Sequence, residues 1–315
     1  MIETRRPGVP SQGEVASMGA QLSSFADEAA RARILGAYDK AMAFWPEPRG
    51  QRDVSTSFGT TRVHTYGGGP GTPVVLLHGQ SATPAEWAPH VAVLGEGRPV
   101  LAVDRVGDPG YSTQSAPVTT AQDTANWLEE VLAGLGLERA HLVGHSYGGW
   151  VALNHAARRP ARVASVAAYE PPRALAPLRP GFLLGAVAAM VSGSEKFQRR
   201  WFTGLIGDTG AAPEEAEAQM RLSLEALRGF RVRLLPPPRM TDEELRSVTA
   251  PALILLGGAN RAMDSTRAAE RARRLIPDVR AEIVPGAGHG IPVKVLNSRV
   301  PEFWREAEAA QGGRA

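Results

Sequence analysis

Apolar residues are distributed along the chain in two ways. Short, nearly unbroken runs occur at Pro73–Leu77, Pro99–Val103, Ala140–Val143, Val163–Tyr169, Ala252–Leu256 and Ala281–Val284. Runs of this length without polar alternation predict strands buried on both faces. Between them, apolar residues recur three or four apart, which predicts helices over 84–94, 120–135, 150–158, 266–275 and 293–309. In the second of these the stripe is Ala125, Leu128, Val131, Leu132 and Leu135. Strands and helices that alternate in this way imply a parallel sheet covered on both sides, the α/β class.

The flanking segments read differently. Residues 1–27 are rich in Gly, Pro, Ser and Ala and predict a loose arm. Ala29–Trp45 carries Ala30, Ile34, Ala37, Ala41 and Phe44 on one helical face and is stopped by Pro46 and Pro48. Asp53–Phe58 and Thr61–Tyr66 predict a hairpin turning at Gly59. The glycine run 67–71 leads into a strand, whereas a phosphate cradle needs a helix start, so it is read as a plain loop. From Pro171 to about Ser247 the alternation breaks. Pro213 suits a first helical turn, and Ala216, Met220, Leu224 and Leu227 form a stripe behind it. Thr241-Asp242-Glu243-Glu244 is a capping box for one more short helix. The predicted organisation is an N-terminal arm and helix over 1–52, a core over 53–170 and 248–315, and a helical lid over 171–247.

Composition narrows the function. The 315 residues carry a net charge of +3, with scattered arginines and only three lysines, which gives no nucleic-acid footprint. The absence of cysteine excludes disulfides, thiolate metal sites and a cysteine nucleophile. No apolar stretch follows the first residues as a signal peptide requires, and none is long enough to span a bilayer. The expected location is the cytoplasm.

The strongest chemical signal is Gly144-His145-Ser146-Tyr147-Gly148-Gly149, between a predicted buried strand and a helix. A nucleophile elbow requires this context: the glycines leave room for a tight turn that lifts the serine hydroxyl above the sheet. A serine needs a base, and His289 stands in the glycine-rich loop Pro285–Gly290 after the last strand. The other histidines have neither the spacing nor the carboxylate company of a metal site. Donors for an oxyanion are expected from the backbone N–H groups of Gln80, after Leu76-Leu77-His78-Gly79, and of Tyr147. His78, Trp201 and Phe202 are the expected substrate contacts, and no cofactor is required.

Taken together, His78-Gly79, the segment Asp104–Ser112, the elbow at Ser146 and the loop at His289 resemble the α/β-hydrolase family from about Asp53 to the end. Within it, the chain resembles carboxylesterase-like and peroxidase-like members. The resemblance implies the α/β-hydrolase fold, with a helical lid inserted in a mostly parallel sheet, and a structural role for Asp104. It also implies an acid in a Gly-x-x-Asp pattern after the penultimate strand, but here Gly257-Gly258-Ala259-Asn260 ends in asparagine. Glu170 is the expected acid, with Asp264 as the alternative and a site without a charged acid as the third possibility. Glu170 follows the strand Val163–Tyr169, where some family branches place their acid. Asp264 lies four residues beyond Asn260 and also reads as a helix N-cap. The expected activity is hydrolysis of an apolar ester or related acyl bond. Non-hydrolytic chemistry on the same scaffold, or a binding role, is the alternative.

Overall fold

The computed structural model describes residues 22–234, 236–290 and 292–312. Its centre is a sheet of eight principal strands: β1 (Arg49–Thr56), β2 (Gly59–Gly67), β3 (Val74–Leu77), β4 (Pro99–Val103), β5 (Ala140–His145), β6 (Val163–Tyr169), β7 (Ala252–Gly257) and β8 (Val279–Val284). Their spatial order is β8-β7-β6-β5-β3-β4-β2-β1, with Thr113–Gln114 added beside β2. The strands from β8 to β4 run parallel, and β2 and β1 are antiparallel.

Two-sided burial explains the unbroken apolar runs. In β3, Val75 and Leu77 enter one core cluster while Val74 and Leu76 enter the other. β7 divides in the same way, Ile254 and Leu256 against Leu253 and Leu255. Successive strand side chains point to opposite faces, so a strand with helices on both sides has no face left for polar residues. The first face is covered by α3 (Ala121–Gly134), α4 (Tyr147–Arg158) and α9 (Ser265–Leu275). The second is covered by α1 (Glu28–Met42), α2 (Ala88–Leu94) and α10 (Val293–Gly312). Between β6 and β7 the insertion contributes α5 (Pro180–Val191), α6 (Glu195–Ile206), α7 (Pro213–Gly229) and α8 (Asp242–Arg246).

Three expectations need correction. The hairpin starts at Arg49, four residues earlier than its apolar pattern indicated, because the outer half of β1 is exposed and lacks alternation. α4 begins at Tyr147, since the elbow passes directly into the helix. Part of the arm is tied down: Ser24–Phe25 pairs with Phe230–Arg231, and Ala26 N–H donates to the Gly229 carbonyl. The remainder of the arm lies outside the described residues. α1 in turn rests on α7, where Gly229 leaves room for Ala30 and Ile34.

Leu76 is fully buried at the centre of this arrangement. Leu76→Ala is expected to lower unfolding free energy in urea by about 2–5 kcal/mol. A loss below about 1 kcal/mol would contradict the close packing described.

Candidate active site

β5 ends at His145, and the chain reverses at once into α4. Ser146 occupies this corner with φ 49° and ψ −119°, in the left-handed region that costs a non-glycine residue about 1–3 kcal/mol. Neighbours enforce it. Ser146 N–H donates to the Tyr169 carbonyl at 2.9 Å, and Trp150 N–H donates to the Ser146 carbonyl at 3.1 Å. A Cβ at Gly144 would collide with the Gly148 carbonyl, and one at Gly148 with the Leu77 carbonyl. Both glycines are therefore demanded by close backbone approach.

His289 arrives from the loop after β8. Its backbone N–H donates to Leu205 at 2.9 Å and that of Gly290 to Ile206 at 3.0 Å, so the end of α6 holds the loop. Gly288 has no room for a side chain against those two carbonyls. His289 Nε2 lies 2.9 Å from Ser146 Oγ. Burial, reinforced by nearby His145, pushes the imidazole down to about 3. It is therefore neutral at neutral pH, the form a base needs. Its Nδ1 is buried and has no hydrogen-bond partner among the described residues. Glu170 Oε2 stands 3.8 Å from that nitrogen.

Glu170 sits directly beyond β6 with φ 53°, a second left-handed residue at the sheet rim. It is fully buried, and burial pushes its carboxyl up to about 8, against two hydrogen bonds that favour the charged form. Those bonds come from Gly257 N–H to Oε1 and from the Asn260 amide to Oε2. Asn260 Oδ1 in turn accepts from Ala262 N–H at 2.7 Å. This accounts for the asparagine. A carboxylate at position 260 would oppose Glu170 as a like charge, whereas the amide donates to it. Asp264 is engaged elsewhere: it caps α9, accepting from Arg267 N–H at 3.1 Å. Of the two competing carboxylates, only Glu170 is brought to His289.

The loop after β3 supplies the opposite wall. Among the described residues, neither the Gln80 nor the Tyr147 N–H donates to another protein group. The expectation for His78 is corrected. Its buried ring donates from Nδ1 to the Gly79 carbonyl at 2.7 Å and accepts Arg105 N–H on Nε2 at 3.1 Å, leaving no nitrogen for substrate. Glu86 was not singled out by the sequence. One of its oxygens accepts Gly79 N–H at 3.1 Å and the other lies 3.3 Å from His145 Nδ1, which ties the Gln80 loop to the elbow. His145 also stacks on Tyr169, 4.5 Å between ring centroids. Asp108 accepts Ser81 N–H at 2.9 Å and the Arg105 guanidinium at 2.6 Å. That guanidinium lies 3.8 Å from the centroid of the Tyr147 ring. Asp104 takes Tyr111 N–H at 2.6 Å, a loop-fastening contact.

Trp201 and Phe202 are half-buried on α6. Trp201 packs against Gly185 and Phe182 of α5, with Phe202 edge-on to it. Among the described residues, no group of three His, Asp or Glu side chains is placed to hold a metal ion, and no helix is long and apolar enough to cross a membrane.

Comparison with known proteins agrees with this architecture. A model described as "Alpha/beta hydrolase family" matches residues 74–296. Carboxylesterase YbfK of Bacillus subtilis is 32% identical over 282 residues, covering 86% of this chain and 93% of the relative. A relative described as "Uncharacterized carboxylesterase nap", from the same organism, is 31% identical over 282 residues, covering 86% and 92%. The crystal structure of naproxen esterase (carboxylesterase NP) from Bacillus subtilis superposes with a TM-score of 0.79 at 30% identity, covering 87% of this chain and 97% of its own. With the strand order, the Ser146 corner and the loop after β8 in place, the chain belongs to the alpha/beta hydrolase family.

Proposed function

We propose that the protein is a carboxylesterase in which Ser146 is the nucleophile, His289 the general base and acid, and Glu170 the orienting carboxylate. The observation that carries this reading is the 2.9 Å approach of a neutral imidazole to a serine hydroxyl on a strained strand-to-helix corner. The carboxylesterase relatives, aligned over most of their length, support the ester as substrate class.

The chemistry follows from the geometry. Ser146 Oγ attacks the ester carbonyl carbon as its proton passes to His289 Nε2. The tetrahedral oxyanion is received by the Gln80 and Tyr147 N–H groups. Collapse breaks the bond to the alcohol oxygen, which takes the proton from His289 and leaves. Water then repeats the sequence: its proton goes to His289, its oxygen attacks the acyl-serine, and the carboxylic acid departs with Ser146 restored. When the imidazole is protonated, its positive charge beside Glu170 favours the carboxylate over the neutral acid. Closing the gap from 3.8 Å to hydrogen-bond range would satisfy the orphaned Nδ1 at the moment charge develops there. The helices α5 and α6 act in this reading as the lid, with α6 fastened to the His289 loop. Trp201 and Phe202 are its apolar lining.

With 4-nitrophenyl acetate, Glu170→Gln is expected to lower kcat by about 10⁴-fold with a much smaller change in KM, as when a triad acid is neutralised. Asp264→Asn should stay near wild type, and Ser146→Ala should abolish both turnover and fluorophosphonate labelling. Equal losses in the two carboxyl variants would overturn the assignment of the acid. The buried carboxyl also predicts a pH signature. With its folded-state value raised from 4.5 to about 8, the folded protein holds the proton more tightly than the unfolded chain. The stabilising share of Glu170 is thus present below pH 4.5 and is lost as pH rises toward 8. Urea unfolding of wild type and Glu170→Gln at pH 5 and pH 8 should show the variant gaining relative stability at the higher pH. A pH-independent gap would contradict the raised value.

A further inference from the structure

A cavity of about 500 Å³ opens between α5 and α6. Phe182, Trp201 and Leu205 are among its apolar lining residues, and three arginines, Arg179, Arg200 and Arg261, line it as well. Among the described residues, no acidic residue lines it. Among the described residues none of the three arginines forms an ion pair. Their neighbours behave differently. On the same helix Arg199 pairs with Glu195 and Glu217, and Arg228 of α7 reaches Glu195 and Gln198.

The cavity is joined to the candidate site at two points. Leu205, one of its lining residues, accepts the backbone N–H of His289. Arg261 directly follows Asn260, whose amide holds Glu170. Its guanidinium lies beside α6: a Cβ at Gly204 would make ordinary contact with Arg261 Nη1 at 3.5 Å. An apolar wall beside three unpaired cations, next to the acid–base end of the site, fits a molecule that is apolar along its body and anionic at one end. Guanidinium groups recognise carboxylates through paired N–H donors, which an ammonium cannot match.

We propose that this cavity is a binding subsite for a carboxylate carried on an apolar or aromatic body, and that the preferred substrates are esters bearing such a free carboxylate. The substrate half of the statement rests on the carboxylesterase reading above; the binding half does not. All three arginines are exposed, so solvent limits each pairing, and together they are expected to give about 10-fold to 100-fold in affinity.

The test separates the two halves. Binding of 6-phenylhexanoate, 6-phenylhexyl phosphate and 6-phenylhexanol to the full-length Ser146→Ala protein is measured by calorimetry at low salt and in 0.5 M NaCl. The acid is expected to bind at least 10-fold more tightly than the alcohol. That difference should collapse in high salt, where charges are screened within a few ångströms. It should also disappear in the Arg179→Gln/Arg200→Gln/Arg261→Gln variant, with far-UV circular dichroism confirming the fold. Equal binding of acid and alcohol, or a preference that survives the triple substitution, would overturn the proposal. Tighter binding of the phosphate would overturn its carboxylate assignment. In the wild-type enzyme, the 4-nitrophenyl monoester of adipic acid is expected to exceed 4-nitrophenyl hexanoate about 10-fold or more in kcat/KM. Equal values for the two esters would overturn the substrate half. An unreactive Ser146 combined with intact acid binding would instead count against the esterase reading alone.

Discussion

The parallel register of β5, β6 and β7 is the constraint from which the site follows. His145 lies opposite Tyr169, and Tyr169 opposite Leu255. The next residues outward on the first two strands are therefore Ser146 and Glu170, side by side at the carboxyl rim, with the Gly257 N–H reaching across from the third. Both rim residues carry positive φ, and each is pinned by a backbone bond to the adjacent strand: Ser146 N–H to Tyr169, Glu170 N–H to Leu255. Sheet hydrogen bonding thus supports the strain that aims the two side chains. The loop after β8 needs only to drop His289 into the space above them.

Burial then sets the chemistry. Around His289 and Glu170 desolvation dominates, driving both toward their neutral forms at rest. A neutral imidazole has a free lone pair to accept a proton, and a carboxylate beside it raises its basicity. The two donors on Glu170 favour its carboxylate form against that burial, and its Oε2 stands 3.8 Å from His289 Nδ1. Asn260 is central to this arrangement, because it supports a carboxylate delivered by the neighbouring strand from the place where other family members carry their own.

Much of this was legible in the chain. Two-sided burial writes itself as unbroken apolar runs, and the elbow glycines are forced by carbonyls that leave no room for a Cβ, so the strands and Ser146 could be located from local pattern. His289 was legible because a glycine-rich loop after the last strand has one plausible place to go. The chain favours Glu170 over Asp264 only by its place after a strand, because its approach to His289 and Asn260 turns on the register between β6 and β7, a relation between residues about 90 positions apart. Glu86 was hidden. It lies in a short 3-10 turn with no periodic pattern, and its role exists only once the Gln80 loop and the elbow meet. His78 misled because a histidine beside an oxyanion loop looks chemically available, whereas the folded loop consumes both of its nitrogens.

The central claim is that Glu170 receives the charge that develops on His289. The most direct measurement is proton NMR of the enzyme after a fluorophosphonate has formed a tetrahedral adduct at Ser146, which leaves the imidazole protonated. The account predicts a far-downfield Nδ1–H resonance from His289 that vanishes in Glu170→Gln and persists in Asp264→Asn. A resonance indifferent to Glu170→Gln would contradict it.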